Sequence, residues 1–312
     1  MFSFGLDPEF MLMQDSELKS AISFLPKKEN AISKNGNDFY FDNVLAEIAI
    51  KPANSKDEAI TNIQSALQNL AKLIGSAKFV IKASGNYPKS ELNCSDAKIA
   101  GCNPEWNVYS LQQVFPPDED VDLLDGYYQF KTPFRSAGGH IHLGSDDLED
   151  PMQVFGVIRM MDLFIGIPSI FLDTDETSKD RRRIYGHAGS HRVPEYGLEY
   201  RTLGNFWLSS PELVGLIYDL SSFVLDFVGN KHHERFWKIN EDLLDEEDPS
   251  LAYSCVGYDV NALKKAINTC NKKLADKFMI FAGNYLPDNL LNEIDRLSGK
   301  PLQNPYDAWS IR

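Results

Sequence analysis

Cysteine is scarce in this chain: Cys94, Cys102, Cys255 and Cys270 are the only four in 312 residues. They are too few and too scattered for a disulfide scaffold, and none has the Cys-x-x-Cys or Cys/His spacing of a zinc site. A reducing, cytoplasmic compartment is the expectation. Long apolar runs are missing as well. The most apolar stretches, 160–172 and 213–228, are interrupted by Asp162 and Pro168 and by Asp219 and Asp226, so neither suits a bilayer crossing. The opening residues MFSFGLDPEF lack the basic n-region and apolar h-region of a secretory signal. Basic side chains are in deficit, 31 against 45 acidic ones, for a formal net charge of −14. Such a surface repels phosphate backbones and anionic lipid, which disfavours membrane attachment and direct nucleic-acid binding and suits cations. Neither a Gly-x-x-x-x-Gly-Lys-Ser/Thr loop nor a Gly-x-Gly-x-x-Gly fingerprint is present. Any nucleotide therefore has to be held mainly through metals and arginines.

What is present is an ordinary globular composition, 43% hydrophobic, enough for one large core with an appendage. Phe2, Phe4 and Leu6 alternate, Asn35-Gly36 marks a hairpin, and Phe39, Phe41 and 44–50 continue the strands. A helix is predicted after Ser55, which has capping-box spacing to Glu58, with Ile60, Ile63, Leu67, Leu70 and Ile74 on one face and Gly75 as its stop. Residues 78–83 read as a strand. The stretch 84–135 is rich in Asn, Pro and aromatics and has no clear period, and its acidic tract 118–125 reads as a solvated loop. A strand over 139–144, a helix opening at Asp150-Pro151, a strand over 198–203 and a helix from Ser210-Pro211 to Gly229-Asn230 follow. The acidic run 241–248 is taken as the boundary between a core domain, 1–240, and a helical extension, 241–312, in which Asp259 caps a helix through 262–274. The expected class is α+β with a mostly antiparallel sheet.

Four segments concentrate unusual polar residues. In GLDPEF, Asp7 and Glu9 share one face if extended. Two such charges are costly without a cation, although a solvated face would also explain them. In VLAEIAIKP, Glu47 is a lone carboxylate in a strand apolar on both faces, which needs a partner, a proton or a metal. In AGGHIHLG, His140 and His142 share a face between glycines, and a pair framed this way favours a site. The fourth segment runs from Arg181-Arg182-Arg183 through Tyr185 and Arg192 to Glu199-Tyr200-Arg201. One or two of the three arginines read as solvated, yet against the acidic background this is the one convincing anion site. Glu199 and Arg201 on one strand face suit a metal beside a phosphate.

The ordered set GLDPEF, EIAIKP, AGGHIHLG, RRIYGHAGSHR and YGLEYRTLGNFW, with GCNPEW at 101–106, resembles the phage-type carboxylate-amine ligases (COOH-NH2 ligase type 2), within the glutamine synthetase and glutamate-cysteine ligase superfamily. The resemblance implies a curved, mostly antiparallel sheet with helices on its convex face and a C-terminal helical segment. It implies ATP as a substrate, two or three Mg²⁺ or Mn²⁺ ions, and amide formation through an acyl phosphate. The metal ligands it implies are Asp7, Glu9, Glu47, His140 and Glu199. His142 would lie toward the nucleotide phosphates, and Gly138 and Gly139 would offer backbone contacts to the acid. Arg201 would contact the transferred phosphoryl group or the substrate carboxylate, and Arg192 and Arg183 would bind ATP phosphates. Arg135 and Tyr185 are added as further binding residues. Arg201, Arg192 and Glu47 carry the catalytic assignment. The partners implied are small-molecule or peptide acids and amines, in the host cytoplasm if the chain is phage-encoded. The resemblance is compatible with an oligomer. Two other readings stand beside it: a metal-dependent hydrolase built on His140-x-His142, and a non-catalytic phage binding protein that retains the fold.

Overall fold

The computed structural model describes residues 2–99, 105–114, 120–124, 127–240, 242 and 248–312. Its centre is a twelve-stranded sheet whose pairings are antiparallel throughout. The first six strands are β1 (Ser3–Leu6), β2 (Glu9–Gln14), β3 (Glu17–Lys19), β4 (Ile32–Lys34), β5 (Asn37–Asp42) and β6 (Leu45–Ala53). The rest are β7 (Lys78–Val80), β8 (Glu105–Asn107), β9 (Gln112–Val114), β10 (Ile141–Gly144), β11 (Ser190–Arg192) and β12 (Leu198–Tyr200). The strand order is β9-β8-β11-β12-β10-β1-β6-β2-β3, with β5 also on β6, β4 on β5 and β7 on β2. The Asn35-Gly36 turn joins β4 to β5, both residues at positive φ (55° and 80°), the conformation a two-residue hairpin demands.

Helix α1 (Lys56–Ile74) starts where Ser55 Oγ accepts the Glu58 N–H at 3.2 Å, and Glu58 Oε2 accepts the Asn54 N–H at 2.8 Å. Its buried stripe, Ile63, Leu67, Leu70 and Ile74, lies in the main core. Helices α2 (Pro151–Met161) and α3 (Ile167–Leu172) are joined by a π-helical turn, Asp162–Gly166. Together they form a 22-residue apolar rod, long enough to cross a membrane but buried in the protein core. Helix α4 (Pro211–Gly229) packs on α1 and α2.

The single helix expected over 262–274 is two. Helix α5 (Val260–Asn268), capped by Asp259, ends before Cys270, whose φ is 48°, and Asn271 caps α6 (Lys272–Gly283). Helix α7 (Asp288–Leu297) follows. These helices join the same core as the sheet: Leu263, Ile267, Phe278, Ile294 and Trp309 belong to it, and Trp309 Nε1 donates to Leu208 O at 2.8 Å. The tract 118–125 is not wholly a loop. Asp120 is buried and a strand, Val121–Leu124, follows it and pairs with Tyr127–Phe130. Asp118, Glu119 and Asp125, most of 241–248, and Gly101–Pro104 of the GCNPEW segment lie outside the described residues.

The two-residue period of the strands sorts the chemistry. On β12, Leu198 and Tyr200 face the helices while Glu199 faces away; on β10, Ile141 and Leu143 enter the core while His142 does not; on β6, Ala46 and Ile48 flank Glu47. One face of the sheet is thus apolar and covered by helices, and the other gathers the charged residues.

Candidate active site

Two carboxylate groups form on the uncovered face. Asp7, His142 and Glu199 each bring a ligand atom to within 4.8 Å of the others, as do Glu9, Asp42 and Glu47. The strand register makes both: His142 lies opposite Glu199 across β10 and β12, and Glu9 opposite Glu47 across β2 and β6. Asp7 sits in the link between β1 and β2, so the chain enters one group with Asp7 and the other with Glu9. Sequence reading joined these two residues on one face; the structure divides them.

Glu9 is held on three sides. Its Oε2 accepts the Gly138 N–H at 2.6 Å, its own N–H donates to Gly138 O at 3.0 Å, and Asn205 Nδ2 donates to its carbonyl at 2.8 Å. Tyr40 OH donates to Glu47 Oε1 at 2.6 Å. Burial, and after it the neighbouring carboxylates, pushes Glu47 well above the usual range, while burial with Asp42 behind it pushes Glu9 up to about 7. Glu199 is also pushed up to about 7, by burial and then by Asp7. Asp7 goes the other way: burial opposes its charge, but His142 and His140 outweigh it and hold the carboxyl well below its ordinary value.

The two histidines differ. His142 Nε2 lies 3.0 Å from Asp7 Oδ1, and its Nδ1 is 2.6 Å from Tyr196 OH, whose ring stacks on the imidazole at 5.7 Å. Burial disfavours its charge, yet Asp7 raises its pKa overall. His140 Nδ1 reaches Asp7 Oδ1 at 3.1 Å and Glu199 Oε1 at 3.4 Å, with Arg201 Nη1 also at 3.4 Å. Burial and the Arg201 charge hold it neutral, with a pKa of about 3. His142, rather than His140, completes the first carboxylate group.

Arg201 is buried between Glu199 and Glu105, the latter at 3.4 Å, and lies over the half-buried Tyr185 ring at 5.3 Å. Arg192, 28% exposed, faces Glu199 Oε2 at 3.7 Å. Of the Arg181-Arg182-Arg183 run, Arg183 alone is exposed. Arg181 donates to Thr202 O at 2.9 Å and Arg201 O at 3.2 Å, and Arg182 to Gly186 O. Arg135 stands apart from this face. It donates at 2.7 Å to Asn43 Oδ1 and to the carbonyls of Thr132, Phe134 and Ala97, so its guanidinium anchors the preceding loops. Gly139 has no room for a side chain: a Cβ there would meet Gly204 O at 2.7 Å and Trp207 Nε1 at 2.8 Å. At Gly138 it would strike the His140 ring.

Sequence reading missed Asp42 and Glu105. Asp42 shares the Tyr40 side of β5, a period-2 clue, and Glu105 lies in the GCNPEW segment, where no residue was singled out. Glu105 is buried and accepts Ser190 Oγ at 2.7 Å.

A cavity of about 130 Å³ lies between Glu9, Glu47, His140, Arg192 and Arg201. A second, about 610 Å³, adjoins it through Asp7 and Tyr40 and extends past Ile50, Pro52, His142 and Tyr196. Carboxylate oxygens with one imidazole match the ligand preference of hard divalent cations. Guanidinium groups at the rim match phosphate or carboxylate.

An antiparallel sheet with helices on one face and clustered carboxylates, histidines and arginines on the other defines an α+β protein with a polar, charge-lined site. Residues 110–253, somewhat less than half of the chain, match the family model described as Phage phiEco32-like COOH.NH2 ligase-type 2, the family the ordered motifs resemble. The description of that family names a carboxylate-amine ligase. The matched stretch contains both histidines, Arg192, Glu199 and Arg201, while Asp7, Glu9, Asp42, Glu47 and Glu105 are brought to them by the fold. A comparison with curated proteins finds no match.

Proposed function

We propose that the protein joins a carboxylic acid to an amine at the expense of ATP, through an acyl phosphate. The observation that carries this reading is the pair of three-residue ligand groups, Asp7/His142/Glu199 and Glu9/Asp42/Glu47, side by side on one face beside Arg192 and Arg201. Each group would hold one Mg²⁺ or Mn²⁺ ion. Bound there, such ions would neutralise phosphate oxygens and the charge that develops on the transferred phosphoryl group.

The chain's own groups supply the rest. Arg192, partly exposed, and Arg201, buried, present guanidinium donors to phosphate or substrate carboxylate oxygens. In the first step an oxygen of the substrate carboxylate bonds to the γ-phosphorus, and the bond to the ADP oxygen breaks. In the second the amine nitrogen attacks the acyl carbon, phosphate leaves with the electron pair of the C–O bond, and the amine gives up a proton to the departing phosphate or to water. His140, neutral and hydrogen-bonded, orients Asp7 and Glu199 rather than carrying charge. The 610 Å³ cavity has room for the organic part of a ligand. Arg183 at the surface would reach outer phosphate oxygens.

A zinc hydrolase on His140-x-His142 draws support from the Asp7/His142/Glu199 donor set. It leaves the second carboxylate group and the arginines without work, and only one of the two histidines enters the donor set.

The test is a panel of acid and amine pairs with Mg²⁺-ATP, following ADP release and using acid labelled with ¹⁸O in its carboxylate. The expected result is amine-dependent ADP release with one ¹⁸O carried into phosphate. Glu47→Gln and Glu199→Gln should each lower it by about 10²–10³-fold, the order of one removed electrostatic contact to the reacting phosphate, while far-ultraviolet circular dichroism stays unchanged. Retained turnover in either variant would remove the site assignment.

A further inference from the structure

The helical side of the sheet holds a further cavity, about 360 Å³, lined among others by Tyr109, Arg159, Trp237, Tyr253, Tyr258 and Lys264 and sharing no residue with the acid-lined pair. Its centre is unusual. Arg159, on α2, is 4% exposed, and its guanidinium carbon lies 4.3 Å from the Trp237 ring centre and 4.2 Å from that of Tyr253. The guanidinium donates to Val108 O at 3.1 Å, and its buried Nε has no hydrogen-bond partner. Among the described residues no carboxylate forms an ion pair with it. A buried cation normally carries a paired anion, because stacking on rings offsets only part of the cost of removing a guanidinium from water.

The surroundings add positive charge. Lys264 sits over the Tyr109 ring at 5.5 Å, and Val260 and Asn261, at the N-terminus of the nine-residue α5, line the same cavity. The acidic residue on the rim, Asp259, is engaged as the cap of α5, accepting the Ala262 N–H at 3.0 Å. The remaining hydroxyls turn inward. Tyr109 OH donates to Asp162 at 2.9 Å, and Tyr258 OH accepts from Trp237 Nε1 at 3.2 Å. The lining therefore combines these two cations with the polar side chains of Ser250 and Asn261, the Cys255 thiol and the aromatic residues already engaged by the cations.

We infer that this cavity binds a small organic anion bearing a carboxylate or phosphate, with the anionic group between Arg159 and Lys264 and the organic part beside Tyr109, Tyr258 and Asn261. Neither the family match nor the ligase reading assigns a ligand to this place, and the inference does not depend on them.

Calorimetric titration of the full chain with phenyl phosphate, benzoate and inorganic phosphate tests it. The expected result is saturable binding of phenyl phosphate or benzoate, one per chain, tighter than inorganic phosphate. Lys264→Ala should weaken it roughly tenfold, the effect of one lost hydrogen bond to a charged group, with an unchanged melting temperature. Arg159→Lys should weaken it further by removing the planar donor. Should Arg159→Lys fail to fold, the half-buried Lys264 carries the test alone. Arg192→Ala, on the acid-lined face, should leave it unchanged. Absence of saturable binding of both aromatic probes would overturn the inference, as would binding lost with Arg192→Ala and kept with Lys264→Ala.

Discussion

At an effective dielectric constant of about 20, two carboxylates about 5 Å apart repel by about 3 kcal/mol, so Glu9, Asp42 and Glu47 cannot all be ionised together without a counter-charge. Protons or a divalent cation can supply it. With Glu9 and Glu199 held up to about 7 by burial and an ordinary carboxylate value near 4.5, the folded state keeps these protons more tightly than the unfolded chain. Their stabilising contribution is complete below about pH 4.5 and is lost as pH rises through about 7. In chelator the melting temperature should therefore fall between pH 5 and pH 8, and Mn²⁺ should raise it several degrees at pH 8 and little at pH 5. A scanning-fluorimetry profile indifferent to Mn²⁺ at both values would contradict the metal reading. Glu47 stood out in sequence as a lone carboxylate within an apolar strand, while Glu9 and Glu199 were singled out through their period-2 partners Asp7 and Arg201. Asp42 was not, since it ends a strand whose other acid, Asp38, is half-exposed. Glu105 follows an Asn-Pro pair in a stretch without period.

At the scale of elements, β12 contacts both faces of the sheet. Glu199 and Arg201 lie on the charged side while Tyr200, between them, sends its hydroxyl 2.6 Å to Asp162 in the π-helical turn. Burial raises Asp162 to about 7, against the hydrogen bonds from Tyr200 and Tyr109. Tyr200→Phe removes one of those donors and should cost about 1–3 kcal/mol in urea unfolding. The same turn shows how the two residues that interrupt the apolar stretch 160–172 are housed: Asp162 is accommodated by a wider turn and two tyrosines, and Pro168 stands in the first turn of α3, where a missing N–H is tolerated. Tight backbone contact matters equally between strands. Gly139→Ala should destabilise the fold by about 1–3 kcal/mol, the usual cost of overpacking, read as a lowered urea midpoint. The helices with a cap and a stripe, α1, α2 and α4, were readable from sequence. The break between α5 and α6 was not, because Thr269-Cys270-Asn271 contains neither glycine nor proline.

Over the whole molecule, one apolar core unites the sheet with α1 to α7, so the C-terminal helices share the stability of the site-bearing strands. The class was legible because hairpin signals and alternating strands outlast local ambiguity. Their order in the sheet was not, since β8 and β11 pair across more than 80 residues of chain and no local pattern encodes that. The formal charge of −14 also changes meaning once placed. Part of it is concentrated on one sheet face with two arginines, where it asks for cations and one polyanion together. Electron paramagnetic resonance titration of Mn²⁺ with ATP tests this most directly. The prediction is two ATP-dependent Mn²⁺ ions per chain, with one lost in Glu47→Gln and the other in Glu199→Gln. No Mn²⁺ bound beyond that carried by free ATP, with both variants behaving as the parent chain, would contradict it.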